Sequence, residues 1–271
     1  MSGTYLHRDD APFGGRVWES IDSAVIAAAK SQLSARRLLD VEGPFGLGLK
    51  ALPGGDAELE ADGGEDGVTL SASPAYPVAA IRAEFEISIR DIAAFEERGT
   101  PLDLSSAVSA AIRCARQEDE LLFNGAPAIG APGLLTVKGV SSSKLSAWTE
   151  VGKAADDIIK ALGQLDGQGF HGPYALALSP DRFNLLYRRY PQGPMTELEH
   201  IKTMATGGVI KAPAIKSGGV LVATNAQFAS IAIGQDMATG FVGPGGGAYE
   251  FVVSETLALR LRQPSAVCVL K

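Results

Sequence analysis

The chain has 271 residues, 46% of them hydrophobic, with 32 glycines and a net charge of −7. That length supports one large domain or two modest ones with a core that needs no disulfide staples. The acidic balance and the lack of any basic tract exclude non-specific nucleic-acid binding. Cys114 and Cys268 stand in no CxxC pair, which excludes a disulfide framework and fits a reducing compartment. The first fifteen residues carry the adjacent acids Asp9 and Asp10 and no continuous apolar run. Ala24 to Ala29 falls far short of the roughly twenty residues of a membrane span. A soluble, cytoplasmic protein is expected.

From Arg16 to Leu39, the residues Trp18, Ile21, Val25, Ala28 or Ala29, Leu33 and Leu38 or Leu39 recur at three-to-four spacing, one apolar stripe on an amphipathic helix. Arg36 to Leu47 reads RRLLDVEGPFGL, an elbow in which Gly43-Pro44 stops regular structure. Phe45 and Leu47, set among glycines, need a neighbouring surface. Pro53 to Gly67 holds six acids, five glycines and no basic residue: a loop or hairpin tip whose spacing fails the EF-hand pattern. Ile81, Ala83, Phe85, Ile87 and Ile89 alternate with polar residues, a half-buried strand. Leu49 to Ala79 then reads as a two-stranded extension that is marginal alone and must lie on something.

Asp103 or Ser105 can cap a helix running to Phe123, where Glu118 and Asp119 fall on or beside the apolar stripe. Carboxylates there are either paired with an arginine or placed at a subunit boundary. Gly125 to Gly139 is irregular, a natural domain junction. Beyond it come a helix on Val151, Ala155, Ile158, Leu162 and Leu165, and a buried strand Tyr174 to Leu178. A helix opened by Ser179-Pro180 follows, then a basic and aromatic loop, Tyr187 to Pro194, and a short helix from Thr196 to Ala205. The remainder is β-rich, with Gly243 to Gly247 as a hairpin turn. Helices and strands are segregated rather than alternating, so the class is α+β.

Catalytic signatures are missing. There is no GxSxG elbow, no Walker loop, and His7, His171 and His200 are isolated. A non-enzymatic assembly subunit with protruding arms fits better.

The motifs that carry a resemblance are spread along the chain. They include Leu6-His7-Arg8, Leu38-Leu39-Asp40-Val41-Glu42-Gly43-Pro44-Phe45-Gly46, Glu118-Asp119-Glu120, Gly172-Pro173-Tyr174, Tyr190-Pro191, Ile233-Gly234-Gln235-Asp236 and Glu255-Thr256. In order and spacing the chain resembles the encapsulins, nanocompartment shell proteins that share the major-capsid fold of tailed phages (the Hong Kong 97 type). The resemblance implies a lumen-facing helix and elbow (1–48), an extended loop (49–79), a peripheral domain (80–139), an axial domain (140–220) and a C-terminal sheet returning to the peripheral domain (221–271). It implies closed icosahedral shells of sixty subunits, or a multiple of sixty, around a cargo enzyme in the cytoplasm. Ferritin-like proteins, dye-decolourising peroxidases and hemerythrins are the family's cargo classes. A phage-type capsid protein without enzyme cargo is the alternative.

Carried over by position, the resemblance implies a groove for a C-terminal cargo peptide made by Leu33, Arg36 and Asp40, faced by Ile233. On the residues alone, Leu33 and Ile233 read equally as core, and Arg36 as an i,i+4 partner of Asp40. The loop Arg188, Arg189, Tyr190 and Pro191 would surround a five-fold pore, where a ring of positive charge favours anions. Arg90 stands where some relatives stack a flavin on an aromatic ring, which argues against flavin; no cofactor or metal is expected.

Overall fold

A computed structural model of the chain describes residues 3–54, 59–61 and 70–271. Most acids of the glycine-rich tip, from Asp56 to Asp66, lie outside the described residues. Two 3₁₀ turns, Gly3–Leu6 and Arg8–Asp10, lead into helix α1 (Gly15–Gln32), which buries Val17, Trp18, Ile21, Val25, Ala28 and Ala29, the stripe expected from spacing. Arg8 binds Asp22 at 2.6 Å and lies over the Trp18 ring, fixing the strap to the helix.

Strand β1 (Asp40–Glu42) follows the elbow and pairs in parallel with a later strand. The chain then runs out and back through two short antiparallel ladders. β2 (Ala51–Pro53) pairs with β5 (Ala75–Pro77), and β3 (Leu59–Ala61) pairs with β4 (Leu70–Ala72). The ribbon returns into β6 (Ala79–Ser88), whose alternating burial matches its alternating sequence. The strand stops two residues sooner than its pattern suggests. Ser88 accepts a hydrogen bond from the Arg90 amide and opens helix α2 (Ile89–Arg98), closed by Gly99 at φ 69°. Ile89, Ile92 and Phe95 are the helical spacing that the strand pattern overlaps.

Helix α3 (Ser105–Asn124) packs along α1 and on the sheet. β7 (Ser141–Ser143), α4 (Lys153–Gly167), β8 (Tyr174–Leu178), α5 (Pro180–Leu185), α6 (Glu197–Met204), β9 (Gly208–Lys211) and β10 (Gly219–Ala223) follow. The long hairpin β11 (Ala229–Gly245) and β12 (Ala248–Leu261) turns at Gly246 and Gly247, both at positive φ, and β13 (Val267–Leu270) ends the fold.

These strands build two main sheets. One has the order β1-β11-β12-β6 and carries α1 and α3 over a core in which Phe85 and Phe251 stack at 5.1 Å. The other has the order β7-β13-β10-β8-β9 and packs α4, α5 and α6 around Trp148, Ile158, Leu176 and Leu221. Within residues 221–271, expected as a C-terminal sheet returning to the peripheral domain, β11 and β12 lie in the first sheet, while β13 lies between β7 and β10 in the second. Its VCVL run is buried on both faces and gives no alternation from which a sheet could be assigned.

The elbow is pinned by backbone bonds: Phe45 N–H donates to the Ile233 carbonyl at 2.9 Å, and Gly46 N–H to the Gly234 carbonyl at 2.7 Å. Gly43, at φ 112°, leaves no room for a side chain, since a Cβ there would sit 2.5 Å from the Ile233 carbonyl oxygen. Gly46, at φ 101°, has open space. Gly43→Ala is therefore expected to destabilise the protein by more than about 2 kcal/mol, and Gly46→Ala by about 1 kcal/mol, in thermal unfolding. Equal losses would show that backbone strain, not the contact with β11, governs the elbow.

Candidate functional site: the groove beside the N-terminal helix

The helical stripe predicted to run to Leu39 breaks after Gln32, and Asp119 on α3 is the cause. Its buried carboxylate accepts hydrogen bonds from the Ser34 amide (2.9 Å) and hydroxyl (2.6 Å) and the Ala35 amide (2.9 Å). Those amides are thereby drawn away from helical partners, and a 3₁₀ turn, Ala35–Arg37, replaces the last turns of α1. Burial outweighs these bonds and leaves the Asp119 carboxyl above its ordinary range.

That turn delivers Arg36 into a cluster of acids. Its Nε and Nη2 donate to the two oxygens of Glu118 at 2.7 and 2.8 Å, Nη2 also to Glu255 at 3.0 Å, and Nη1 to Asp236 at 2.7 Å. Glu118 and Glu255 are fully buried, whereas Asp236 is 61% exposed. Burial works against the charged guanidinium, but the bonds to Glu118 and Asp236 outweigh it and raise the Arg36 pKa. Burial first, then the adjacent Glu118 carboxylate, pushes Glu255 up to about 10. Cys114, buried beside Glu255, is an inert thiol pushed up to about 12.

Of the four residues assigned to the groove, Leu33 and Arg36 come together. Leu33 packs with Ala29, Ala115 and Met237. Ile233 lies in the main core and offers the elbow only its backbone carbonyl. Asp40 is exposed at the start of β1, in register with Ser230, and Arg36 bonds to the three other acids rather than to it. Glu118 thus has the arginine partner the sequence allowed for. What sequence reasoning missed was the pairing of Glu118, Asp236 and Glu255 around one arginine. Asp236 and Glu255 stood in the sequence in two separate motifs, Ile233-Gly234-Gln235-Asp236 and Glu255-Thr256, with nothing to bring them together.

Along α1, a shallow groove of about 90 Å³ is lined by Ile26, Ala29, Lys30, Leu33, Arg36 and Met237. Ile26 is 49% exposed there. Through Asp236 and Met237 it adjoins a wider hollow of about 740 Å³, where Tyr5, Phe45 and Leu47 expose apolar surface around the elbow. Contiguous apolar surface of this kind is what a binding partner or ligand covers.

The second lobe holds the basic loop. Arg188 is only half-buried, but its charge is spent inside the subunit, on the Leu185 and Thr149 carbonyls and, at 3.7 Å, on Glu197. Glu197, wholly buried, caps α4 by accepting the Gly152 and Ala155 amides at 2.9 and 3.1 Å. Arg189 and Pro191 point to solvent. The Tyr190 hydroxyl meets His200 Nδ1 at 2.7 Å, and burial, helped by Glu197 and Asp156, holds that phenol above its ordinary range. Arg90 is exposed in the first turn of α2. Among the described residues no group of three His, Cys, Asp or Glu side chains could hold a metal, and no helix is long and apolar enough to cross a membrane.

The two sheets, the out-and-back ribbon and the long helix on the β11–β12 hairpin define the capsid fold of tailed phages. The capsid of the Myoviridae phage XM1 superposes with a TM-score of 0.58 at 15% identity, covering 86% of this chain and 88% of that one. The virus-like particle from Pyrococcus furiosus superposes at 0.75 with 23% identity, over 94% of this chain and 99% of that one. The family described as "Encapsulating protein for peroxidase" matches residues 3–258. The type 1 encapsulin shell protein EncA of Myxococcus xanthus is 33% identical over 98% of this chain and 96% of its own length. A diheme-cytochrome-encapsulin shell fusion protein of Kuenenia stuttgartiensis is 30% identical over 94% of this chain and 72% of its own length. The chain belongs to the encapsulin family: it is a structural shell protein and not an enzyme.

Arg36→Ala would leave Glu118 buried without a counter-charge and is expected to cost about 3–5 kcal/mol in unfolding experiments, against under about 1 kcal/mol for the exposed Asp40→Ala. In the second lobe, burial would raise the Asp157 carboxyl, but bonds from Ser146, the Trp148 indole and Lys160 outweigh it and hold it at about 2. A depressed carboxylate stabilises fully above the ordinary aspartate range and loses that contribution as pH falls towards 2. Asp157→Asn should flatten the acid limb of stability between pH 4 and 2, followed by tryptophan fluorescence.

Proposed function

We propose that this protein forms a closed icosahedral shell of sixty subunits, or a multiple of sixty, in the cytoplasm, and that cargo enzymes dock through a C-terminal peptide in the groove beside α1. The observation that carries the docking is the half-exposed Ile26, which with Leu33 and Met237 lines the shallow groove along α1. Peptide contacts here fall on Ile26, Leu33 and Met237. Arg36 shapes the floor while its donors stay on Glu118, Asp236 and Glu255; Asp40 and Ile233 do not line the groove. The fusion of a diheme cytochrome to a shell domain in Kuenenia stuttgartiensis, and of a ferritin-like domain in Pyrococcus furiosus, supports an enzyme-filled interior.

The loop Arg188 to Pro191 is proposed to rim the five-fold opening. Glu197 screens Arg188, so Arg189 is the residue that would set an anion preference, and Arg189→Glu should reverse the relative entry of small anions and cations. Equal entry in both shells would refute it.

Ile26→Asp tests docking, because it charges the strip at a site already half open to solvent. The variant should still give closed particles by electron microscopy, with cargo per shell reduced more than about tenfold in mass spectrometry of native particles. An unchanged cargo load would sink the docking site. Closed particles holding no protein in the parent would favour a phage-type capsid instead.

A further inference from the structure

Two wholly buried carboxylates, Glu118 and Glu255, share the single guanidinium of Arg36. Their treatment is unequal. Glu118 takes the bidentate fork, the geometry of an ionised carboxylate. Glu255 receives one longer bond through Oε2, and its Oε1 is buried with no hydrogen-bond partner among the described residues. The remaining arginine donor goes to Asp236, a third acid, at the surface. One positive charge cannot offset two carboxylates shut away from water with a third acid beside them, and acids this close do not all ionise.

We propose that Glu255 carries a proton at neutral pH, and that this proton is the latch seating Arg36, and with it the 3₁₀ turn and the Asp236 wall of the groove, on α3 and β12. The groups that face Glu255 are Glu118 and Cys114 from α3, Arg36 from the turn and Asp236 from β11. Asp119, the next acid on α3, is directed instead at Ser34 and Ala35, with Arg37 nearby. Among the described residues Arg36 is thus the one cation in direct contact, and it is already matched by the Glu118 fork. A second buried negative charge would compete with Glu118 and Asp236 for the same N–H groups. The outer, exposed bond to Asp236 is the one that would yield. The direction is fixed: a carboxyl whose folded-state pKa is raised lends its seat less stability as pH rises, so the turn loosens in alkali and not in acid. In the docking reading above, that loosening opens one wall of the peptide groove, but the latch does not depend on the reading.

Hydrogen exchange on intact shells between pH 7 and 9.5 tests it. The measured segment is residues 33–39, with exchange in α4 as the reference that cancels base catalysis. Exchange of 33–39 relative to α4 should rise towards tenfold per pH unit in the parent and stay flat in Glu255→Gln, which keeps the shape without the charge. A flat parent profile, or a rise that persists in Glu255→Gln, overturns the proposal. Should Glu255→Gln fail to assemble, Glu118→Gln decides. Removing the fork lets Glu255 ionise against Arg36 at neutral pH, so its profile should also be flat, and a parent-like rise in it overturns the latch. Both variants are read without cargo, so failure here is distinct from an unchanged cargo load in Ile26→Asp shells.

Discussion

One guanidinium holds together segments that lie far apart in the chain. Arg36 reaches Glu118, Asp236 and Glu255, respectively 82, 200 and 219 residues away, and so ties the N-terminal arm to the long helix and to both strands of the main hairpin. Apolar burial alone would not fix this arrangement. α1 buries Trp18, Ile21 and Val25 in the main core, but its C-terminal end presents the small residues Ala28 and Ala29, where packing alone would let the chain slide along α3. Buried charges cannot slide, because each displaced bond would leave a carboxylate in the interior without a partner. Asp119, the very next residue on α3, captures the Ser34 and Ala35 amides and so sets where the helix must end.

The same device recurs in the other lobe. Asp157 accepts the Ser146 amide and hydroxyl together with the Trp148 indole, and Glu197 accepts the Gly152 and Ala155 amides. In each case a carboxylate on a helix reaches across to backbone N–H groups that irregular chain would otherwise leave unsatisfied. Glu197 also faces Arg188, which makes the base of the basic loop rigid while Arg189 and Pro191 remain in solvent. A loop fixed at its root and free at its tip suits a rim around an opening.

Much of this was legible in the sequence, for stated reasons. β6 alternates with period two and α3 with period 3.6, so both could be placed, and the family motifs ordered them into a capsid fold. The end of α1 was not legible: the stripe continues through Leu38 and Leu39, which are indeed buried, but on a 3₁₀ turn and its exit rather than on a helix. The backbone was redirected by Asp119, some eighty-five residues away, and no local pattern contains that information. α2 was hidden because its apolar positions coincide with the tail of the β6 alternation. Arg36 was singled out by position, but the neighbour weighed for it, Asp40, is not among the acids it meets. Asp40 satisfies i,i+4 spacing only if the helix continues, and it does not.

The extended ribbon shows what the subunit supplies to itself and what it leaves to others. A two-stranded ladder is marginal in water, and the acidic composition of this one adds no core. Its base is nevertheless anchored within the chain: Leu52 is buried against Ala232 and Ala258, Tyr76 and Val78 pack beside it, and the Tyr76 hydroxyl reaches the Leu261 carbonyl at 3.4 Å. Further out, β4 is exposed at every position, with Leu70 open to solvent. The demand for apolar cover therefore falls on β4 and on the Phe45–Leu47 elbow, while the base of the ribbon is already part of the folded unit. A shell subunit built this way can fold its core before it meets a neighbour and still expose the surfaces that only a neighbour can cover.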